Sequence, residues 1–199
     1  IASRLPREVR LIRGWSGHPF SMVQELDENF QALLMIGYHS WAGSAANPLA
    51  HTVSGKIAGL KINGCNASEL HMYAYAAALV NVPLVFVSGD KGICEEATLL
   101  VPNISTLAVK QGSGNATVNI HPHLAVERIR DGVQAALQRD VSKCRLPRPE
   151  HFTVDITYKD HAMARKASFF PGAVSTDPHT IQFKSNDYFE VLRLFAFVL

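Results

Sequence analysis

Five side chains in this sequence stand where chemistry is usually built: His39, His51, Glu69, Asp90 and Lys110. Each follows an apolar run or opens a helix, the places where an α/β protein assembles its sites. Two imidazoles and a carboxylate form a normal donor set for a hydrolytic zinc ion, which lowers the pKa of its bound water towards about 7. His39 follows the apolar run Leu33–Gly37 with Tyr38 between, so its ring is expected at the carboxyl end of a strand. Gly37 and Gly43 would let backbone approach closely there. Spacing alone does not complete a site: HExxH is absent and no cysteines and histidines cluster tightly. Any ligand set must be brought together by the fold.

Each of these residues also has a plainer use. Asn66-Ala67-Ser68-Glu69 reads as a helix start with Asn66 as N-cap and Glu69 closing a capping box, which by itself accounts for Glu69. Asp90 after Gly89 reads as the N-cap of the next helix, and His51 as a loop histidine. Lys110-Gln111-Gly112-Ser113-Gly114 resembles a phosphate-cradling loop but lacks the GxxxxGK[ST] order of a P-loop. His121-Pro122-His123 reads as a solvated helix start, and Met35 and Met72 as core residues.

The elements that would carry these side chains follow from apolar periodicity and punctuation. Met22, Val23, Leu26 and Phe30 have helical spacing. Ala32–Gly37 has the length of a buried parallel strand. Ile57–Ile62 reads as a strand turning at Asn63-Gly64. A helix follows from Asn66 to about Val80, then the clearest strand, Val82–Asp90, a helix over 91–100, and a strand over 105–109. Such alternation predicts an α/β fold with a parallel-type sheet flanked by helices. A helix over about 122–139 leads to a Pro-punctuated linker, Cys144–Glu150. Beyond it, the alternating run Phe152–Tyr158, its partner Thr180–Phe183 and an apolar helix over 188–198 predict a smaller α+β lobe. The expected division is residues 1–145 for the first domain and 146–199 for the lobe.

Composition narrows the class. With 199 residues, 47% hydrophobic and 18% charged, the chain is globular. A formal net charge of +2, with basic residues scattered, argues against a nucleic-acid partner. The apolar runs are too short to span a membrane. Three widely spaced cysteines, Cys65, Cys94 and Cys144, suit free thiols in a reducing compartment, so a soluble cytoplasmic protein is expected. The opening Ile1–Pro6 reads as the middle of a chain. From the residues alone, an enzyme and a binding protein both remain open.

Several segments, in order, resemble the DppA-type zinc-dependent D-aminopeptidases of peptidase family M55. They are Pro19-Phe20-Ser21-Met22-Val23 with Leu26, Asp27 and Phe30; Gly37-Tyr38-His39; His51 with Ser54; Ile62-Asn63 followed by Glu69 and Tyr73-Ala74; Gly89-Asp90; Pro102-Asn103; Ala108-Val109-Lys110-Gln111; and Pro171-Gly172 with Gln182-Phe183 and Asp187. The resemblance implies an aminopeptidase that hydrolyses short peptides with N-terminal D-amino acids, D-Ala-D-Ala-like, through a zinc-activated water. His39 matches a zinc-ligand histidine, Glu69 a zinc-ligand glutamate, and His51 the histidine that takes part in catalysis. Asp90 and Lys110 fall near the expected cleft, in a supporting substrate-binding role. Two zinc ions per complete site and a ring-shaped homo-oligomer, a decamer, are likewise implied.

The family pattern also holds an Asp-x-Glu-Gly strand end and an Asn-Asp-x-His segment, which supply the remaining metal ligands, and neither motif occurs in these 199 residues. A catalytic zinc typically takes three protein ligands plus water. With two, the chain as it stands is expected to bind zinc weakly and to hydrolyse little. The rival expectations are a non-catalytic oligomeric scaffold or peptide-binding relative that has lost the metal site, and a nucleotide- or phosphate-binding domain built on Lys110–Gly114.

Overall fold

Apolar runs bounded by turn residues set most of the elements. The computed structural model describes residues 2–199, and residues 3–18 are exposed throughout. The helix expected over 22–30 is instead a single 3-10 turn, Ser21–Val23. Ser21 has a positive φ of 44°. The bonds that follow, from Leu26 N–H to the Val23 carbonyl and from Phe30 N–H to the Asp27 carbonyl, close four-residue turns and establish no α register.

The chain then runs through β1 (Leu33–Tyr38), β2 (Ile57–Ile62), β3 (Cys65–Asn66), α1 (Glu69–Leu79), β4 (Leu84–Asp90), α2 (Lys91–Leu100), β5 (Ser105–Ser113), β6 (Ala116–Asn119) and α3 (Pro122–Leu137). After a 3-10 turn it continues with β7 (Phe152–Tyr158), α4 (His161–Ala167), β8 (Val174–Ser175), β9 (Thr180–Ser185) and α5 (Tyr188–Val198). One sheet has the order β1-β4-β5-β6 and the other β3-β2-β7-β9-β8. In the first, β1, β4 and β5 are parallel and β6 folds back antiparallel. The second is antiparallel throughout. The expected mixed α/β architecture is present. The boundary expected at 145/146 does not separate the two sheets, because β2 and β3 lie before it and pair into the sheet of β7 and β9.

All seven residues of β4 are buried. A strand between two parallel neighbours needs cover on both faces, and α2 and α3 both pack on β4 and β5. In β7, by contrast, buried and half-buried residues alternate, as in a strand with one core face. Helix α1 is buried without a break from Glu69 to Ala77, because it touches β1 on one side and α5 on the other. Leu70, Met72, Phe86, Val154, Ile156 and Leu192 thus share one core across both sheets. Each such side chain contributes about 1.5–3 kcal/mol on burial.

Two local expectations change. Asn66 does not cap α1, because it is held in the ladder opposite Lys61. Ser68 caps it instead, accepting from His71 N–H at 3.3 Å. Glu69 is therefore the first helical residue, outside any capping box. The Lys110–Gly114 stretch is the end of β5 and its turn into β6, with Lys110 opposite Asn119 and Gly112 opposite Thr117. Its backbone is committed to a ladder and opens no helix, which removes the basis for a phosphate cradle. Among the described residues no helix is long and apolar enough to cross a membrane.

Candidate metal centre

Strand β1 delivers His39 to the edge where β4 ends in Asp90, since the two strands are parallel. Gly37 adopts φ 82°, and the ladder register shifts between Ile36 and Tyr38. Gly37 serves this turn of the backbone rather than close packing, for a Cβ there would meet nothing within 4 Å. The close approach belongs to Gly89, where a Cβ would run into the Tyr38 carbonyl.

The loop that follows returns His51 to the same place. Leu49 N–H bonds to Asn47 Oδ1 at 3.0 Å, an Asx turn. Thr52, fully buried, accepts from Ala42 N–H at 3.0 Å and donates to the Ala67 carbonyl at 3.1 Å. One hydroxyl thereby ties the loop's beginning, its end and the approach to α1. Val53 then adopts φ 61°, rare for a β-branched residue, and aims its N–H at Glu69 Oε1, 2.7 Å away.

His39, His51 and Glu69 meet as a result. Their donor atoms all lie within 4.8 Å of one another, and the two imidazole rings are 4.2 Å apart at 31°. His39 Nδ1 faces the Ser40 carbonyl at 3.1 Å, and His51 Nδ1 faces the Leu49 carbonyl at 2.8 Å. A carbonyl only accepts, so each neutral ring carries its proton on Nδ1 and turns the Nε2 lone pair inward. Both Nε2 atoms stand 3.9 Å from Glu69, His39 from Oε2 and His51 from Oε1. That is too long for a hydrogen bond. Two zinc–donor bonds of about 2.1 Å each span up to about 4.2 Å, so one ion reaches both members of either pair. The donor set fits zinc. It also contains one donor more than the pair that the resemblance assigned to metal.

The other expected site residues lie elsewhere. Asp90 is fully buried. Its Oδ1 accepts from Ser40 Oγ–H at 2.6 Å and Ile93 N–H at 2.8 Å, and its Oδ2 from Ser40 N–H at 2.9 Å and Asn47 Nδ2 at 3.1 Å. It caps α2 and fixes the residue after His39, with no acceptor direction left over for a ligand. Lys110 is half-buried on β5 and stands outside the donor cluster. His121 accepts from His123 N–H as the N-cap of α3, and Cys65, Cys94 and Cys144 are free thiols.

Behind Glu69 lies a second carboxyl that sequence reasoning missed. Glu96 on α2 is buried, accepts from Ser68 and approaches His71 Nδ1 to 3.7 Å. Burial, opposed by the Ser68 hydrogen bonds and reinforced by Asp90, pushes it from an ordinary 4.5 up to about 7. Burial also pushes His71 down to about 4, so the imidazole is neutral near pH 7 and the contact is no ion pair. A folded-state pKa raised above the unfolded one favours the neutral carboxyl. That stabilisation is complete below pH 4.5 and lost as pH rises through 7. Glu96→Gln does not titrate and should therefore gain stability relative to the parent between pH 5 and 8, by on the order of 3 kcal/mol. Urea unfolding of both proteins at the two pH values checks this, and parallel profiles would refute it.

The sequence model of the family described as Peptidase_M55, D-aminopeptidase, matches residues 1–197. The chain belongs to this D-aminopeptidase family. Within the family it is 32% identical over 195 residues to the D-aminopeptidase of Bacillus subtilis (strain 168), a match covering 97% of this chain and 70% of that protein. A solved structure, the Zn-dependent D-aminopeptidase DppA from Bacillus subtilis, described as a self-compartmentalizing protease, superposes with a TM-score of 0.89. The two are 30% identical, and the match covers 98% of this chain and 71% of that one. The fold of the D-aminopeptidase family is thus carried by nearly every residue of this chain.

Proposed function

We propose that this chain is a zinc-dependent aminopeptidase acting on short peptides with N-terminal D-amino acids, D-Ala-D-Ala-like. The observation that carries the reading is the convergence of two imidazoles and one carboxylate, whose donor atoms all lie within 4.8 Å of one another. The Zn-dependent relative of the same fold supports the choice of metal.

His39 and Glu69 would hold the zinc. His39 is the better buried histidine, its side chain 20% exposed against 42% for His51. Bound there, zinc activates a water at neutral pH and polarises the peptide carbonyl. His51, on the open side, receives a proton at Nε2 and passes it to the leaving amine, while its Nδ1–H stays on the Leu49 carbonyl. Val53 N–H keeps Glu69 Oε1 oriented. Two zincs per complete site belong to the proposal, and the second requires donors beyond these three.

Self-association into a ring-shaped homodecamer with sites facing an interior channel is proposed on the description of the relative as self-compartmentalizing. Exposed apolar side chains at Leu11, Ile12 and Trp15 offer surface for it. A cytoplasmic location is proposed on the three free thiols.

Zinc per chain after dialysis, with D-Ala-D-Ala and L-Ala-L-Ala hydrolysis assayed alongside, tests the reading. With two ligands the expected result is little zinc after dialysis, and slow release of D-Ala that depends on zinc supplied in excess. Protein that holds no zinc and hydrolyses neither dipeptide would end the catalytic reading and leave the scaffold or peptide-binding one.

A further inference from the structure

Glu96 takes no part in the hydrolysis proposed above, yet its placement bears on Glu69. It sits on α2, 8% exposed, against a fully buried Ser68. Its Oε1 accepts from both donors of that residue, Ser68 Oγ–H at 2.8 Å and Ser68 N–H at 3.3 Å. Its Oε2 has no hydrogen-bond partner among the described residues. Because the hydroxyl proton goes to Glu96, a lone pair of Ser68 Oγ is fixed towards His71 N–H and caps α1. Ser68 is bonded directly to Glu69. We propose that Glu96 is a positioning residue that locks both donors of Ser68, sets the first turn of α1 and so aims the Glu69 carboxylate at the donor cluster.

The alternative is that Glu96 only stabilises the fold. Two facts separate the accounts. The middle of α1 is anchored independently, for Tyr188 donates its hydroxyl to the Met72 carbonyl at 2.8 Å and α5 packs along the helix. Losing Glu96 should therefore loosen the first turn and spare the rest. Glu69 also has its own reporter. Val53 N–H bonds to Glu69 Oε1 on an exposed residue, so the protection of that amide follows the position of the carboxylate.

The inference rests on the reading that Glu69 holds zinc, and the test keeps the two apart. Amide exchange is measured by NMR on metal-free parent, Glu96→Gln and Glu96→Ala proteins at pH 7. In Glu96→Ala the Val53 amide should exchange at least about tenfold faster while Ala76, inside α1, stays within about threefold. Glu96→Gln, whose amide oxygen can accept from both Ser68 donors, should keep Val53 within about threefold of the parent. Zinc affinity by chelator competition should fall about 10–100-fold in Glu96→Ala, as for other groups that orient metal ligands, and stay near parental in Glu96→Gln. Should Glu96→Ala not fold, Glu96→Asp, one methylene short of Ser68, gives the same readout. An unchanged Val53 amide, or equal acceleration at Val53 and Ala76, overturns the proposal. A parent that binds no zinc overturns the zinc reading alone, since the exchange measurement still decides what Glu96 does to Glu69.

Discussion

Glu69→Gln is expected to lower the zinc-dependent turnover of D-Ala-D-Ala by about 10³-fold or more and to weaken zinc binding further, with the fold intact. Glu69 supplies the only carboxylate of the cluster, beside the imidazoles of His39 and His51. A carboxamide has nearly the same shape but no charge, and is a poor partner for a divalent cation. The loss should exceed the roughly 10–100-fold typical of residues that only orient ligands. The fold should survive because the amide oxygen can still accept from Val53 N–H, as Oε1 does now at 2.7 Å. Activity, zinc content and thermal unfolding of the same sample decide the matter. More than a tenth of parental turnover with Gln at this position would remove Glu69 from the metal centre.

Asp90→Asn should be among the most destabilising single-atom-type exchanges available to this chain, costing about 2–5 kcal/mol. Each carboxylate oxygen of Asp90 accepts two donors, and each pair includes a backbone N–H: Ile93 on Oδ1, Ser40 on Oδ2. Whichever way an asparagine turns, its NH₂ faces one of those N–H groups and leaves it unpaired in a buried site. The Ser40 hydroxyl can rotate to compensate, but a backbone amide cannot. Asn47 is not free to flip either, because its Oδ1 holds Leu49 N–H. For a protein of this size the loss corresponds to a fall in Tm of roughly 5–15 °C. Zinc binding should weaken as well, because Ser40 carries the carbonyl that fixes the tautomer of His39. Unfolding within 1 kcal/mol of the parent would show that the network relaxes and that Asp90 is no more than an ordinary helix cap.

The contrast between these two carboxylates shows which parts of the molecule were legible in advance. The run Val82–Asp90, the turn at Asn63-Gly64, the helix over 91–100 and the C-terminal helix announce themselves by apolar length and punctuation, and each is present, the strand beginning two residues later at Leu84. The segment 22–30 misleads, since four apolar side chains at helical spacing cannot reveal that Ser21 enters at φ 44°. Short β6 and β8 and the seven-residue α4 lack periodicity long enough to read. At the site, the resemblance named His39, Glu69 and His51, whereas spacing could not join a strand end, a loop and a helix start. Glu69 looked fully explained as a capping-box residue because the two-residue strand that takes Asn66 back against Lys61 is too short to show in the apolar pattern. Asp90 looked available to a ligand because its acceptors are consumed by Ser40 and Asn47, more than forty residues earlier. Glu96, Ser68, Thr52 and Val53 gave no signal, for their roles exist only after the loop has closed on α1.

That dependence has a consequence for the order in which the protein comes into being. His39, His51 and Glu69 all precede Leu84, the start of the strand that pairs with β1, and the residues that lock their neighbours, Asp90 and Glu96, come later still. On a chain made from its amino terminus, the donors leave the ribosome first and are aligned last. Until residue 96 has been added and β4 has docked on β1, they are three separate side chains on a growing polypeptide, each able to hold a stray cation only weakly. On the proposed reading, the choice of ion would therefore be settled when the parallel sheet closes, and not when the donor residues are synthesised.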